Sequence, residues 1–157
     1  MTSDQPSLWS DIRGLVILGW IVAATRLLLD FVAPEQSMFI GVYFLMPLAY
    51  LYYGLKGKWD HLPWKRTAGA LLVVVLLVWF VPNWISYSTA ALVGLDHGRF
   101  SPEAYQTVIE RDTPVKIILN AGIVSAATFA AGSVWSVSLG TLFIWLPGAM
   151  RRRQART

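Results

Sequence analysis

The sequence contains no cysteine among its 157 residues. A chain without thiols forms no disulfide and offers no thiolate nucleophile, cysteine-ligated zinc or iron–sulfur cluster. Charged residues are also scarce, at 14% of the chain against about 25% in a soluble domain. This scarcity of charge, together with a mean hydropathy of +0.52, indicates a membrane protein.

Histidine is almost as rare, since His61 and His97 are the only two. We expect them in loops on opposite sides of the membrane, where they share no metal and ligate no haem inside the bundle. The sequence has no P-loop, dinucleotide fingerprint or HExxH motif. Asp30 is the one aspartate expected inside a span, whereas an intramembrane aspartyl protease needs two. We therefore predict a protein that is not an enzyme, has no metal or cofactor, and does not bind nucleic acid.

Four long apolar stretches predict an all-α integral membrane protein, a four-transmembrane-helix bundle that forms one membrane domain over residues 1–157. Since each crossing needs about 20 residues, the spans are expected at about residues 12–32, 38–55, 67–89 and 117–150. Pro34 should stop the first helix, Ser37 should cap the second, and Pro82 should kink the third. The fourth span is unusually long, and two helices divided near Gly132 are the alternative to one tilted helix.

The start of the first span raises a signal peptide as an alternative. Asp4 and Asp11 against Arg13 leave this start without the positive excess of a signal peptide, so we expect a retained span. The long polar loop from Leu95 to Lys116 should contain a short surface helix beginning at Ser101, because Ser-Pro-Glu is a typical helix start.

The basic residues predict the orientation of the four spans. The side that holds both termini and the loop of residues 56–66 carries nine of them: Arg13, Lys56, Lys58, Lys65, Arg66, Arg151, Arg152, Arg153 and Arg156. The opposite side carries three: Arg99, Arg111 and Lys116. Because cytoplasmic loops are enriched in lysine and arginine, we predict an inner-membrane protein with both termini in the cytoplasm. The arginine-rich tail either fixes this topology or attracts anionic lipid.

A polar layer is predicted near the outer ends of the spans. Arg26 and Asp30 lie four residues apart on one face of the first helix, and charges at membrane depth usually face protein. Four further polar side chains are expected at similar depth: Tyr43, Asn83, Tyr87 and Asn120. The layer is either a structural network in which Arg26 pairs with Asp30, or an outward-opening pocket in which Arg26 holds an anionic or carbonyl group. Snorkelling of both charges to the interface is a third alternative.

Small residues in the fourth span, among them Gly122, Ala126 and Ala130, predict close contact with another helix. The first functional hypothesis is therefore a non-catalytic subunit or assembly partner of a larger membrane complex. Its partners would be membrane lipids together with other membrane subunits or further copies of the chain. The alternative hypothesis is binding or transport of a small amphiphile, a lipid or a quinone, at the polar layer around Arg26.

Overall fold

The computed structural model describes residues 7–37, 39–101 and 113–154, and within these ranges the chain is helical and contains no strand. The helices are α1 (Leu8–Val32), α2 (Pro34–Ser37), α3 (Val42–Leu55), α4 (Trp64–Val75), α5 (Val81–Val93), α6 (Pro114–Gly140) and α7 (Leu146–Gln154). A π-helical turn, Leu76–Phe80, joins α4 to α5, and a second one, Thr141–Trp145, joins α6 to α7. The surface helix predicted after Ser101 lies outside the described residues.

Four helical stretches are long and apolar enough to cross a membrane, as predicted: Leu8–Val32, Pro34–Leu55, Trp64–Val93 and Pro114–Gln154. The fourth runs without interruption for 41 residues. This confirms the prediction of one helix and not of two helices divided near Gly132. At 1.5 Å per residue its length is about 60 Å. A bilayer core is about 30 Å thick, so a helix of this length is long enough to cross it at a strong tilt or to extend beyond it.

The second helix begins later than predicted. Pro34 follows the end of α1 as expected, but Pro34–Ser37 forms its own short helix, and the Ser37 hydroxyl donates to the Pro34 carbonyl at 2.9 Å. Gly41, in an extended conformation, is the N-cap of α3, which therefore has only 14 residues. The Ser37 hydroxyl is used within the short helix, so it does not cap α3.

Each π-helical turn is followed by a proline at the same offset. Pro82 comes two residues after Leu76–Phe80, and Pro147 comes two residues after Thr141–Trp145. A proline ring clashes with the carbonyl four residues earlier, and in both helices that carbonyl lies inside the π turn. The wider turn moves it aside, which lets the helix continue past the proline.

The carbonyl that Pro147 displaces belongs to Phe143, and it faces the backbone of Gly54 in α3. A Cβ atom at Gly54 would overlap the Phe143 carbonyl oxygen. Glycine is therefore required where α3 crosses the second π turn. Nearby, the buried hydroxyls of Tyr50 and Ser136 form a hydrogen bond of 2.5 Å between α3 and α6.

The buried face of α6 carries small side chains, and of the three residues predicted to touch another helix, Gly122 lies against α5. Its buried residues include Ala121, Ser125, Gly132, Ser136 and Gly140. Gly122 faces the Trp84 indole of α5, and that indole nitrogen donates to the Ile118 carbonyl at 2.9 Å. Ala126 and Ala130 are exposed within the chain, so their contact with a partner helix stays a prediction.

An arginine clamp closes the end of the bundle where α1 begins and α7 ends, here called the proximal end. Arg151 donates from Nε and Nη2 to the two carboxylate oxygens of Asp60 at 2.6 and 2.7 Å, and from Nη2 to the Gly54 carbonyl at 2.6 Å. Arg152 donates to the Asp60 carbonyl. Two arginines of the basic tail therefore attach α7 to the loop after α3.

Candidate functional site

The candidate site is at the opposite, distal end of the bundle, where α1 and α5 end. Here Asp30 pairs with Arg99 and not, as predicted, with Arg26. Nε and Nη2 of Arg99 lie 2.8 and 2.7 Å from the same carboxylate oxygen, Oδ2 of Asp30. The Asp30 side chain is only 3% exposed. A buried carboxylate requires a cation with good geometry, and the loop after α5 supplies it.

Two glycines bring Arg99 to this position. Gly94 ends α5 with a φ of 76°, and Gly98 begins a short 3₁₀ turn, Gly98–Phe100, with a φ of 58°. Left-handed backbone of this kind favours glycine because other residues carry a Cβ. The turn folds back over the end of α1, where the guanidinium carbon of Arg99 lies 4.6 Å from the centre of the Phe100 ring. His97, exposed as expected of a loop histidine, reaches the Asp30 carbonyl with Nε2 at 3.2 Å.

Asn83 extends this pair to the fourth span. Its Nδ2 donates to the Thr128 hydroxyl at 3.1 Å, and its Oδ1 accepts from Nη1 of Arg99 at 3.4 Å. The Thr128 hydroxyl donates to the Ser125 carbonyl at 2.8 Å. We call these residues the distal cluster: Asp30, Asn83, His97, Arg99 and Thr128.

Asn120 was predicted to lie in the same layer, but the structure does not place it there. Thr128 is the α6 residue that faces Asn83, and it follows Asn120 by about two helical turns, or about 12 Å. The prediction counted depth from the ends of the spans, and this count does not give the register of α6 against α5, in which Asn83 meets Thr128. Tyr87 lies beside the loop, with its ring edge-on to Phe100 at 5.6 Å between centroids.

Arg26 has no hydrogen-bonded partner for its buried Nε among the described residues. Its guanidinium lies beside the start of α3, since a Cβ atom at Gly41 would come 3.7 Å from Nη1. Next to it is a cavity of about 20 Å³, which is room for about one water-sized group. Its lining residues include Arg26, Tyr43, Trp79, Asn83, Ser86 and Arg99.

The charges around this cavity do not balance within the described chain. Arg26 and Arg99 carry two positive charges, and the Asp30 carboxylate that supplies the one negative charge is bonded to Arg99. The N-terminal end of α3 adds a partial positive charge next to Arg26. The site is therefore suited to accept one anionic oxygen from outside the described residues.

Three residues of the distal cluster were not predicted from the sequence to belong to the polar layer. His97 and Arg99 lie in a loop, and Thr128 carries no charge. One signal was present in the sequence: Gly94 and Gly98 come shortly before Arg99, and glycine is the residue type that allows a chain to turn back at a helix end. No group of three or more histidine, aspartate or glutamate side chains in the described ranges is arranged to hold a metal ion. No known protein family, curated protein or solved structure matches this chain.

Proposed function

We propose that this chain is a small non-catalytic inner-membrane protein that serves as a subunit or assembly partner of a larger membrane complex. The observation that carries this proposal is the buried Nε of Arg26, which has no acceptor among the described residues. A buried donor of a charged group without an acceptor is costly at membrane depth, and charges there usually pair with another group. A carboxylate on a membrane helix of a partner protein would supply the acceptor and balance the charge.

The size of the cavity supports a partner side chain. With about 20 Å³ beside Arg26, the site admits the tip of a carboxylate, whereas an aromatic or quinone ring requires far more space. The exposed alanines of α6, Ala126 and Ala130, offer a surface on which a partner helix could approach closely. The excess of basic residues at the proximal end favours a cytoplasmic position for both termini.

A second candidate is binding or transport of a small amphiphile at the same cavity. It is favoured by the Tyr43 and Ser86 side chains, which line the cavity together with Arg26 and could hydrogen-bond to a head group. A phosphate or carboxylate head group would balance the charge of Arg26, but a quinone carbonyl would not. Within this candidate, the charge therefore favours an anionic lipid over a quinone.

Gentle detergent extraction, a native gel and mass spectrometry of the band distinguish the two candidates. We expect a stoichiometric partner protein with the wild-type chain and its loss with Arg26→Gln. The matched control is Arg153→Gln, which removes an exposed arginine at the proximal end and should keep the partner. A retained lipid-soluble molecule without a partner protein would support the second candidate. A partner retained equally by Arg26→Gln would refute a role for Arg26 in assembly.

A further inference from the structure

A groove of about 410 Å³ lies at the proximal end, between the first turns of α1 and the loop that follows α3. Its volume is within the range of about 300–1,000 Å³ typical of small-ligand pockets. Its lining residues include Asp11, Arg13, Gly14, Ile17, Tyr53 and Lys58. The groove is at the other end of the bundle from Arg26, so it is independent of the proposed function.

The walls of this groove are held in place by contacts within the chain. The indole nitrogen of Trp59 donates to the Asp11 carbonyl at 3.2 Å, which ties the loop to α1. The Tyr53 ring packs edge-on against Trp59, with 5.7 Å between centroids, and Lys58 Nζ lies 4.7 Å from the centre of the Tyr53 ring. The ammonium group of Lys58 is therefore positioned over an aromatic wall.

Gly14 keeps the groove open beside Tyr53. A Cβ atom at Gly14 would come 2.5 Å from the Tyr53 hydroxyl oxygen, so a larger residue would fill this space or displace the ring. One turn further along α1, the apolar side chain of Ile17 is 57% exposed. A molecule with a polar head in the groove could therefore place an apolar tail along α1.

The charge of the groove selects the head group. Arg13 and Lys58 are both exposed and cationic, and they outnumber the one carboxylate in the lining, Asp11. Asp11 lies 3.5 Å from Nε2 of His61. Trp9, 55% exposed at the start of α1, is a residue type that favours the membrane interface. We propose that this groove binds the phosphate of an anionic phospholipid through Arg13 and Lys58, with an acyl chain along Ile17. Basic pockets at the ends of membrane helices are suited to lipid phosphates.

Native mass spectrometry of the full chain in detergent, titrated with phosphatidylglycerol or phosphatidylcholine, tests this site. We expect phosphatidylglycerol to bind preferentially to the wild type. The double variant Arg13→Gln, Lys58→Gln should lose roughly 30-fold in affinity, since each basic residue near a membrane surface contributes roughly a fivefold gain. If the double variant fails to fold, the single variant Arg13→Gln, at an exposed position, should still lose roughly fivefold.

The matched control is Lys56→Gln, Lys65→Gln, which removes the same charge from exposed positions at the same end of the bundle but outside the groove. This control should keep wild-type affinity for phosphatidylglycerol. Equal loss in both double variants would mean that only the overall charge matters and would overturn the site. Equal binding of the two lipids by the wild type, or no binding of either, would also overturn it.

Discussion

Arg99 and Asp30 form a buried ion pair between a loop and a helix end, with two guanidinium nitrogens 2.8 and 2.7 Å from one carboxylate oxygen. The pair fixes the loop after α5 over the end of α1. Through Asn83, which accepts from Arg99 and donates to Thr128, it also connects this loop to α6. Three of the four candidate spans therefore meet in one polar cluster.

Breaking this pair from either side should be strongly destabilising. Arg99→Met leaves the Asp30 carboxylate buried without its cation, which typically costs about 3–5 kcal/mol. Adding Asp30→Leu to Arg99→Met should recover much of the loss, whereas adding Arg26→Met should not. Thermal unfolding of the single and double variants in detergent gives the coupling free energies. The pairing would be contradicted if Arg26→Met, and not Arg99→Met, restored the stability that Asp30→Leu removes.

Gly54 should tolerate no larger residue, because the Phe143 carbonyl occupies the space of a Cβ atom there. Gly54→Ala is expected to lower stability by about 1–3 kcal/mol or more, the usual cost of overpacking. The matched control is Gly69→Ala in α4, where a Cβ atom meets nothing within 4 Å, and the better helix propensity of alanine should raise the melting temperature. Equal melting temperatures for both variants would argue against the close crossing of α3 and the second π turn.

The clamp between Asp60 and Arg151 should make stability depend on pH in the acid range. Hydrogen bonds from Arg151 hold the pKa of the Asp60 carboxyl below its ordinary value. A lowered pKa in the folded state stabilises the protein above the ordinary carboxyl pKa, and this contribution is lost as the pH falls through the lowered value.

Asp60→Asn should therefore reduce stability at pH 7 by about 1 kcal/mol or less, as is usual for a partly exposed pair. The difference from wild type should shrink as the pH falls below about 4. Melting temperatures recorded between pH 7 and pH 3 measure it. A difference that stays constant over this range would mean that the charge of Asp60 does not stabilise the clamp.

The absence of cysteine allows a clean test of orientation. Asp96 is exposed at the distal end and Gln154 at the proximal end. A cysteine at position 96 should react with a membrane-impermeant thiol reagent in intact cells, and a cysteine at position 154 should react only after permeabilisation. The reverse pattern would refute the orientation inferred from the basic residues, and labelling of both would show that the fourth candidate span does not cross the membrane once.

The four long helices could be predicted from the sequence because hydropathy over about 20 residues depends little on tertiary contacts. The predicted helix ends were less accurate where the residue expected to cap a helix forms a hydrogen bond with a near neighbour in the chain. Ser37 shows this, since its hydroxyl bonds to Pro34 and leaves the cap of α3 to Gly41. A kink was predicted at Pro82, but neither π turn was predicted and Pro147 was not singled out. The role of Pro147 is visible only in the structure, where the Phe143 carbonyl meets Gly54.

The candidate site was predicted only in part. The spacing of Arg26 and Asp30 correctly placed both charges near one end of α1, but helical spacing cannot show whether a closer cation comes from another segment. Arg99 is that cation, and it arrives through a loop whose path depends on backbone angles at Gly94 and Gly98. Asn83 of α5 lies opposite Thr128 of α6. This register depends on side-chain packing, so counting residues from the helix ends does not predict it.

The most direct test of the account is the thermal stability of Arg26→Met in the purified chain. Because Arg26 has no acceptor for its Nε within the described chain, removing its charge should leave the melting temperature equal to that of the wild type or above it. Arg99→Met, measured beside it, should be strongly destabilised. A loss of stability for Arg26→Met as large as that for Arg99→Met would show that Arg26 is paired within the chain. It would contradict the claim that Arg26 binds an acidic group of another molecule.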